Sequence, residues 1–105
     1  METRRVHEAI AFSEEKLRKN GLFETDQLFY DVYCLLPGQF QKIHAHEGSD
    51  KVYYVLEGHG RFHVAGEEAE HGAGTAVLAR AGEPHGVRNA SDEKLVLLVT
   101  MAPKP

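Results

Sequence analysis

Two patterns of apolar and polar positions divide the chain. From Val6 to Asn20 the apolar residues Val6, Ile10 and Leu17, with Ala9 and Phe12 weaker, are separated by charged ones, which predicts a short helix or two. Ser13 before Glu14 and Glu15 offers a cap with acidic residues at the positive end of the dipole, Lys16, Arg18 and Lys19 suit the other end, and Asn20-Gly21 is a left-handed stop. A helix is therefore expected near Ser13 to Lys19, inside an N-terminal segment 1–24 distinct from a β domain over 25–105.

After Gly21 the period changes. Leu28–Leu36, Lys51–Glu57, Gly60–Ala65, Ala76–Ala79 and Leu95–Met101 are short runs rich in Val, Tyr, Phe and Leu. Turns such as Pro37-Gly38, Gly58-His59-Gly60, Gly82-Glu83-Pro84 and Asn89-Ala90-Ser91 separate them. Short strands with evenly spaced turns predict an all-β sandwich or barrel. The Ala102–Pro105 tail has the composition of a fraying end.

The 105 residues suffice for one compact domain, and 42% apolar residues with nine aromatics allow one modest core. A net charge of -4 provides no basic field for phosphate backbones, so nucleic acid is not an expected partner. No run is long and apolar enough to span a bilayer, and the N-terminus does not resemble a signal peptide. Cys34 is the only cysteine, so no intrachain disulfide forms and a cytoplasmic setting is expected.

Seven histidines are many for this length, and His44-Ala45-His46 places two of them one residue apart. On a strand, residues i and i+2 share a face, so the two imidazoles would project together, an arrangement suited to a first-row transition metal. By itself this is a weak signal, because the same spacing arises by chance on surfaces and in cores.

The surrounding residues strengthen it. Gly38, His44, His46 and Gly58 fall on the pattern G-x5-H-x-H-x3-4-E-x6-G, and Gly74, Gly82, His85 and Asn89 fall on G-x5-P-x-G-x2-H-x3-N. The chain from Gly38 to Asn89 thus resembles the two motifs of the cupin family. That resemblance implies a cupin-type β-barrel, also called a double-stranded β-helix or jelly roll, of six to eight strands, here preceded by a short N-terminal helix. It also implies that His44, His46 and His85 meet at the open end to hold one divalent transition metal, whether Fe, Mn, Zn or Ni.

Three departures from the motifs matter. Lys51 stands where the family has its glutamate ligand, after Asp50. Either Lys51 points away, or it is kept neutral, or Asp50 reaches in through a bulge, or three histidines and water complete the shell; the last is favoured because strand alternation turns Asp50 outward. Arg80 replaces the motif proline, and Ala73 precedes Gly74 where proline is common. Spare imidazoles remain, of which His59 and His71 belong to solvated turns, His63 is a minor candidate for a fourth ligand, and His7 lies away from the motifs.

Of the adjacent Tyr53 and Tyr54, one must face the interior. Core packing is its simplest role. The sharper one puts Tyr53 and Lys51 on a shared face of the cavity, with a phenol and a cation for the substrate. Phe40, two alternating steps from His44, is expected to form apolar wall, Asn89 to fix a turn and Arg88 to be exposed.

An open three-histidine site implies a mononuclear metalloenzyme, dioxygenase- or isomerase-like, acting on a small organic molecule. A non-catalytic binding or sensing barrel is the alternative, and a barrel that has lost its metal a third. A homodimer is expected by analogy, with Phe12, Leu22 or Phe23 covered by the neighbour.

Overall fold

The computed structural model describes all 105 residues. Nine strands follow one 3-10 turn, Val6–Ala9: β1 (Arg18–Glu24), β2 (Phe29–Leu35), β3 (Phe40–His44), β4 (Asp50–Glu57), β5 (His59–Val64), β6 (Glu67–Gly72), β7 (Ala76–Ala79), β8 (His85–Arg88) and β9 (Leu95–Ala102). They form two antiparallel sheets, ordered β1-β2-β9-β4-β7 and β3-β8-β5-β6. The all-β barrel expected from the sequence is present, and each of the five apolar runs is a strand.

The core follows from alternation. Along β4, Lys51, Tyr53 and Val55 are buried while Asp50, Val52 and Tyr54 are exposed. Tyr33, Leu35, Tyr53, Val55, Phe62, Val87, Leu95, Leu97 and Val99 fill the space between the sheets. A second, smaller cluster lies on the outer face of the five-stranded sheet, where Leu22, Val32, Cys34 and Val96 are covered by Val6, Ile10 and Phe12 from the N-terminal segment. The central strands β2 and β9 are therefore apolar on both faces, which is why their sequences read as continuous hydrophobic runs.

The N-terminal segment corrects two expectations. No helix forms over Ser13–Lys19; Arg18 already opens β1, and the short N-terminal helix is the single turn Val6–Ala9. Fewer than two helical turns cannot offset nucleation, whereas β1 gains a ladder in which Arg18 lies opposite Cys34 and Glu24 opposite Phe29. Asn20 is not a stop signal: its amide donates to the carbonyls of Ala9 (2.8 Å) and Ala11 (3.2 Å), tying the segment to the sheet. The patch expected to meet a neighbour is likewise covered by the chain itself, since Leu22 is buried and Phe12 and Phe23 pack around it. The exposed apolar residues of this sheet are Val52, Tyr54 and Leu78 instead.

Two motif residues are structural. Gly58 has φ +82°, and a Cβ there would stand 2.2 Å from the Lys94 carbonyl oxygen, so neither the backbone nor the space admits another residue. Asn89 is fully buried. Its amide donates to the carbonyls of Leu35 (2.9 Å) and Glu93 (2.7 Å), and its oxygen accepts from the hydroxyl of Ser91 (2.8 Å). It thus fixes the β8–β9 turn as expected and also ties it to the end of β2. Asn89→Ala removes a buried donor from the Leu35 and Glu93 carbonyls, the second of which keeps only the Ser91 hydroxyl (3.2 Å), and we expect a loss of about 2 kcal/mol in urea unfolding.

Candidate metal centre

His44 ends β3, His85 opens β8, and the two lie opposite each other in the ladder of the four-stranded sheet. His46 sits beyond the strand, in the loop leading to β4. The simple alternation argument for the two motif histidines therefore does not hold as stated; irregular backbone past the strand end, not the strand itself, carries the second imidazole. The rings of His44 and His46 are 4.7 Å apart between centroids, those of His44 and His85 4.6 Å, and those of His46 and His85 5.6 Å.

One nitrogen from each ring lies within 4.8 Å of the others. The hydrogen bonds define which nitrogen is free. His44 Nδ1 donates to the Lys42 carbonyl (2.7 Å) and His85 Nδ1 to the Glu83 carbonyl (2.9 Å). A carbonyl only accepts, so the proton resides on Nδ1 and Nε2 keeps its lone pair, the arrangement by which outer partners orient metal-ligating histidines. His85 Nε2 is buried and has no hydrogen-bond partner. A lone pair buried without a partner is costly, and a cation drawn onto it at about 2.1 Å would offset that cost. Burial, followed by the charges of nearby His44 and Lys51, holds the His46 imidazole below its usual range. Burial lowers His85 too, partly opposed by its bond to the Glu83 carbonyl. Both are neutral at pH 7, the form a metal requires. The three residues therefore fit one transition-metal ion.

Lys51 points inward. It is 2% exposed, and its ammonium lies 5.3 Å from the centre of the Tyr33 ring and 5.1 Å from that of Tyr53. Burial, with help from Lys19 and against the pull of Asp31, lowers its pKa to about 7. The lysine thus turns inward, not away, and burial favours its neutral form. Asp50 is exposed, its carboxylate accepts from the Ala81 N–H at 2.8 Å, and it is not part of the histidine cluster. Tyr53 is fully buried, as expected for one member of the tyrosine pair, and its hydroxyl donates to Gln41 Oε1 at 2.6 Å. Its ring centre is 6.3 Å from that of His85.

The bulge in β3 corrects another expectation. The register shifts between Gln41 and His44, so Gln41 turns inward while Phe40 is 56% exposed and forms no part of the inner wall. His63 also stays away from the cluster; its Nδ1 faces Glu68 at 3.6 Å on β6. Tyr33, Gln41 and Gly86 escaped the sequence reading. Period-2 counting along Leu28–Leu36 would have turned Tyr33 inward, whereas Gln41 and Gly86 carry no signal short of the bulge itself.

Gly86 lets that bulge close. A Cβ there would lie 2.8 Å from the Gln41 carbonyl oxygen and 3.2 Å from Ile43 Cα, both backbone atoms. We expect Gly86→Ala to displace β3 and His44 with it, weakening zinc binding about tenfold in a chelator competition while the circular dichroism of the fold persists.

The fold agrees with comparisons to known proteins. The model of the family described as "Cupin domain" matches residues 31–101. A Thermotoga maritima protein named "Oxalate-binding protein" is 34% identical over 85 residues, covering 81% of this chain and 69% of its own. The crystal structure of TT1209 from Thermus thermophilus superposes with a TM-score of 0.97 at 48% identity over the whole of both chains. That of an RmlC-like cupin protein from Desulfovibrio desulfuricans gives 0.85 at 28% identity, covering 98% of this chain and 97% of the other. Two motifs on paired strands, converging imidazoles and a family match over most of the length lead to one statement: this chain belongs to the cupin family.

Proposed function

We propose that this cupin barrel holds one divalent transition metal on His44, His46 and His85 and binds a small organic acid beside it, as a mononuclear metalloenzyme of dioxygenase or isomerase type. The observation that carries the reading is the convergence of three imidazoles, with the buried His85 Nε2 lacking any partner. An ion there supplies either a redox centre, if Fe or Mn, or a Lewis acid that polarises a carbonyl, if Zn or Ni.

The chain's own residues favour an anionic ligand. Lys51 and Lys19 place their ammonium groups 5.3 Å from the Tyr33 ring centre, and no carboxylate takes the place of the missing glutamate ligand. An anion near Lys51 would raise its pKa from about 7 and hold it as a cation. Tyr53 shapes the floor beneath His85 and keeps Gln41 in place, with a phenol that can exchange its bond to Gln41 for one to the ligand. The naming of the Thermotoga relative makes oxalate the first probe to use.

Binding without turnover is the second reading. It is favoured by the occupied Tyr53 hydroxyl and by a lysine in place of the acidic ligand. The test is metal analysis of tag-free protein, followed by calorimetric titration of oxalate and by oxygen-uptake and CO2-release assays on the Mn- and Zn-loaded forms. Near-stoichiometric metal with turnover supports the enzyme, and binding alone supports the second reading. Protein that takes up no metal removes the enzyme and leaves metal-free binding, which the oxalate titration then tests. A homodimer is part of the same proposal, supported by the exposed strip Val52, Tyr54 and Leu78 on neighbouring strands β4 and β7; a monomer in sedimentation would refute it.

A further inference from the structure

A cavity of about 640 Å³ lies on the outer face of the four-stranded sheet, behind the strands that carry His44 and His85. Phe40, Lys42, Ile43, Arg61, Arg88 and one carboxylate, Glu68, are among the residues that line it. Its charges are arranged against its own stability. The register places Arg61 of β5 directly opposite Arg88 of β8, like charge facing like charge. Arg61 is relieved by Glu68 at 3.1 Å, and Glu70 of β6 lies opposite it on the far side. Arg88 and Lys42 have no carboxylate partner, in a chain whose net charge is -4. The Arg88 guanidinium is instead held over the Phe40 ring, 6.0 Å from its centre.

Beside these cations are large apolar side chains left in water: Phe40 is 56% exposed and Ile43 49% exposed. The β3 bulge sends Phe40 outward, and Gly86 lets Ile43 settle against β8. A cation with a planar fork, prearranged on an aromatic ring next to an apolar wall, matches a carboxylate attached to an apolar body. An inorganic anion would leave Phe40 and Ile43 unused, and a neutral hydrocarbon would leave Arg88 and Lys42 uncompensated. The volume suits a small ligand.

We propose that this outer cavity is a second binding site, separate from the histidine cluster, for a small organic carboxylate with an aromatic or branched apolar body. Arg88 receives the carboxylate in two parallel hydrogen bonds, Lys42 and Arg61 add charge, and Phe40 and Ile43 cover the body. The site does not depend on the metal reading.

The test is a titration of benzoate into zinc-treated, isotopically labelled protein followed by 1H–15N correlation spectra, with inorganic phosphate and benzyl alcohol as controls. Saturable shifts are expected at the Arg88 and Arg61 Nε–H signals and at Ile43, with neither control saturating there. Arg88→Gln should weaken benzoate at least tenfold and leave zinc binding unchanged, whereas Arg88→Lys should retain part of the affinity. The proposal is overturned if benzoate shifts saturate only around His46 and Lys51, if phosphate binds the cavity as tightly as benzoate, or if Arg88→Gln binds as the parent does.

Discussion

His85→Ala is expected to weaken zinc binding at least a hundredfold, the largest effect of any single ligand change. His85 is the only one of the three histidines that is buried, and its Nδ1 is fixed by the Glu83 carbonyl, so its Nε2 is already aimed when the ion arrives. His46 is half-buried and sits in a loop, so its replacement should cost less. Competition with a chromogenic chelator measures both. Equal losses would mean that the ion does not use the prearranged geometry, and unchanged binding in His85→Ala would place it elsewhere. The pH dependence follows from the same residues. An unperturbed imidazole protonates near pH 6.5, but burial lowers His46 and His85 below that. Protons therefore compete at these two residues only below the ordinary imidazole range, and zinc affinity should fall as pH drops through and below about 6.5.

Lys51→Met is expected to stabilise the metal-free protein at pH 7 by about 3 kcal/mol. The shift from 10.5 to about 7 means that folding disfavours the charged lysine. At about 1.4 kcal/mol per unit the full penalty is larger still, and relaxation around the ammonium reduces it. The sign is fixed by proton counting. Between about pH 7 and 10 the unfolded chain binds the proton and the folded chain does not, so this group's contribution improves as pH rises. Below about pH 7 both states are protonated and the penalty is complete; above 10.5 it is gone. The gain from Lys51→Met, measured as the difference in urea unfolding free energy between parent and variant, should be largest at and below pH 7 and vanish only above pH 10.5. A gain that does not change with pH would mean that packing, not charge, sets it. Retention of so costly a residue fits a role with an anionic ligand, and Lys51→Met should then lose oxalate binding while gaining stability.

The clustering of His44, His46 and His85 was legible where motif spacing carried it, and side-chain facing was not legible where it depended on a bulge. His44, His46 and His85 were legible as a set because their spacing coincides with two family patterns, and Asn89 was legible as a turn former. Strand alternation correctly placed Tyr53 inside and Asp50 outside. It failed for Phe40, because the β3 register shift between Gln41 and His44 reverses the faces. It also credited His46 to a strand that ends at His44. The charges flanking Leu17 suggested a helix, but β1 had a partner strand available, and local propensity yielded to the ladder.

By itself the sequence determined the all-β class, the five apolar strands, the family and the candidate ligands, because two-residue alternation, turn chemistry and motif spacing are local properties of the chain. Only the tertiary structure decided that Lys51 is buried against Tyr33 and Tyr53, that Gly86 and Gly58 admit no side chain, and that Arg61 faces Arg88. These are meetings between strands remote in sequence, governed by register, bulges and close backbone approach, and no count along one strand contains them.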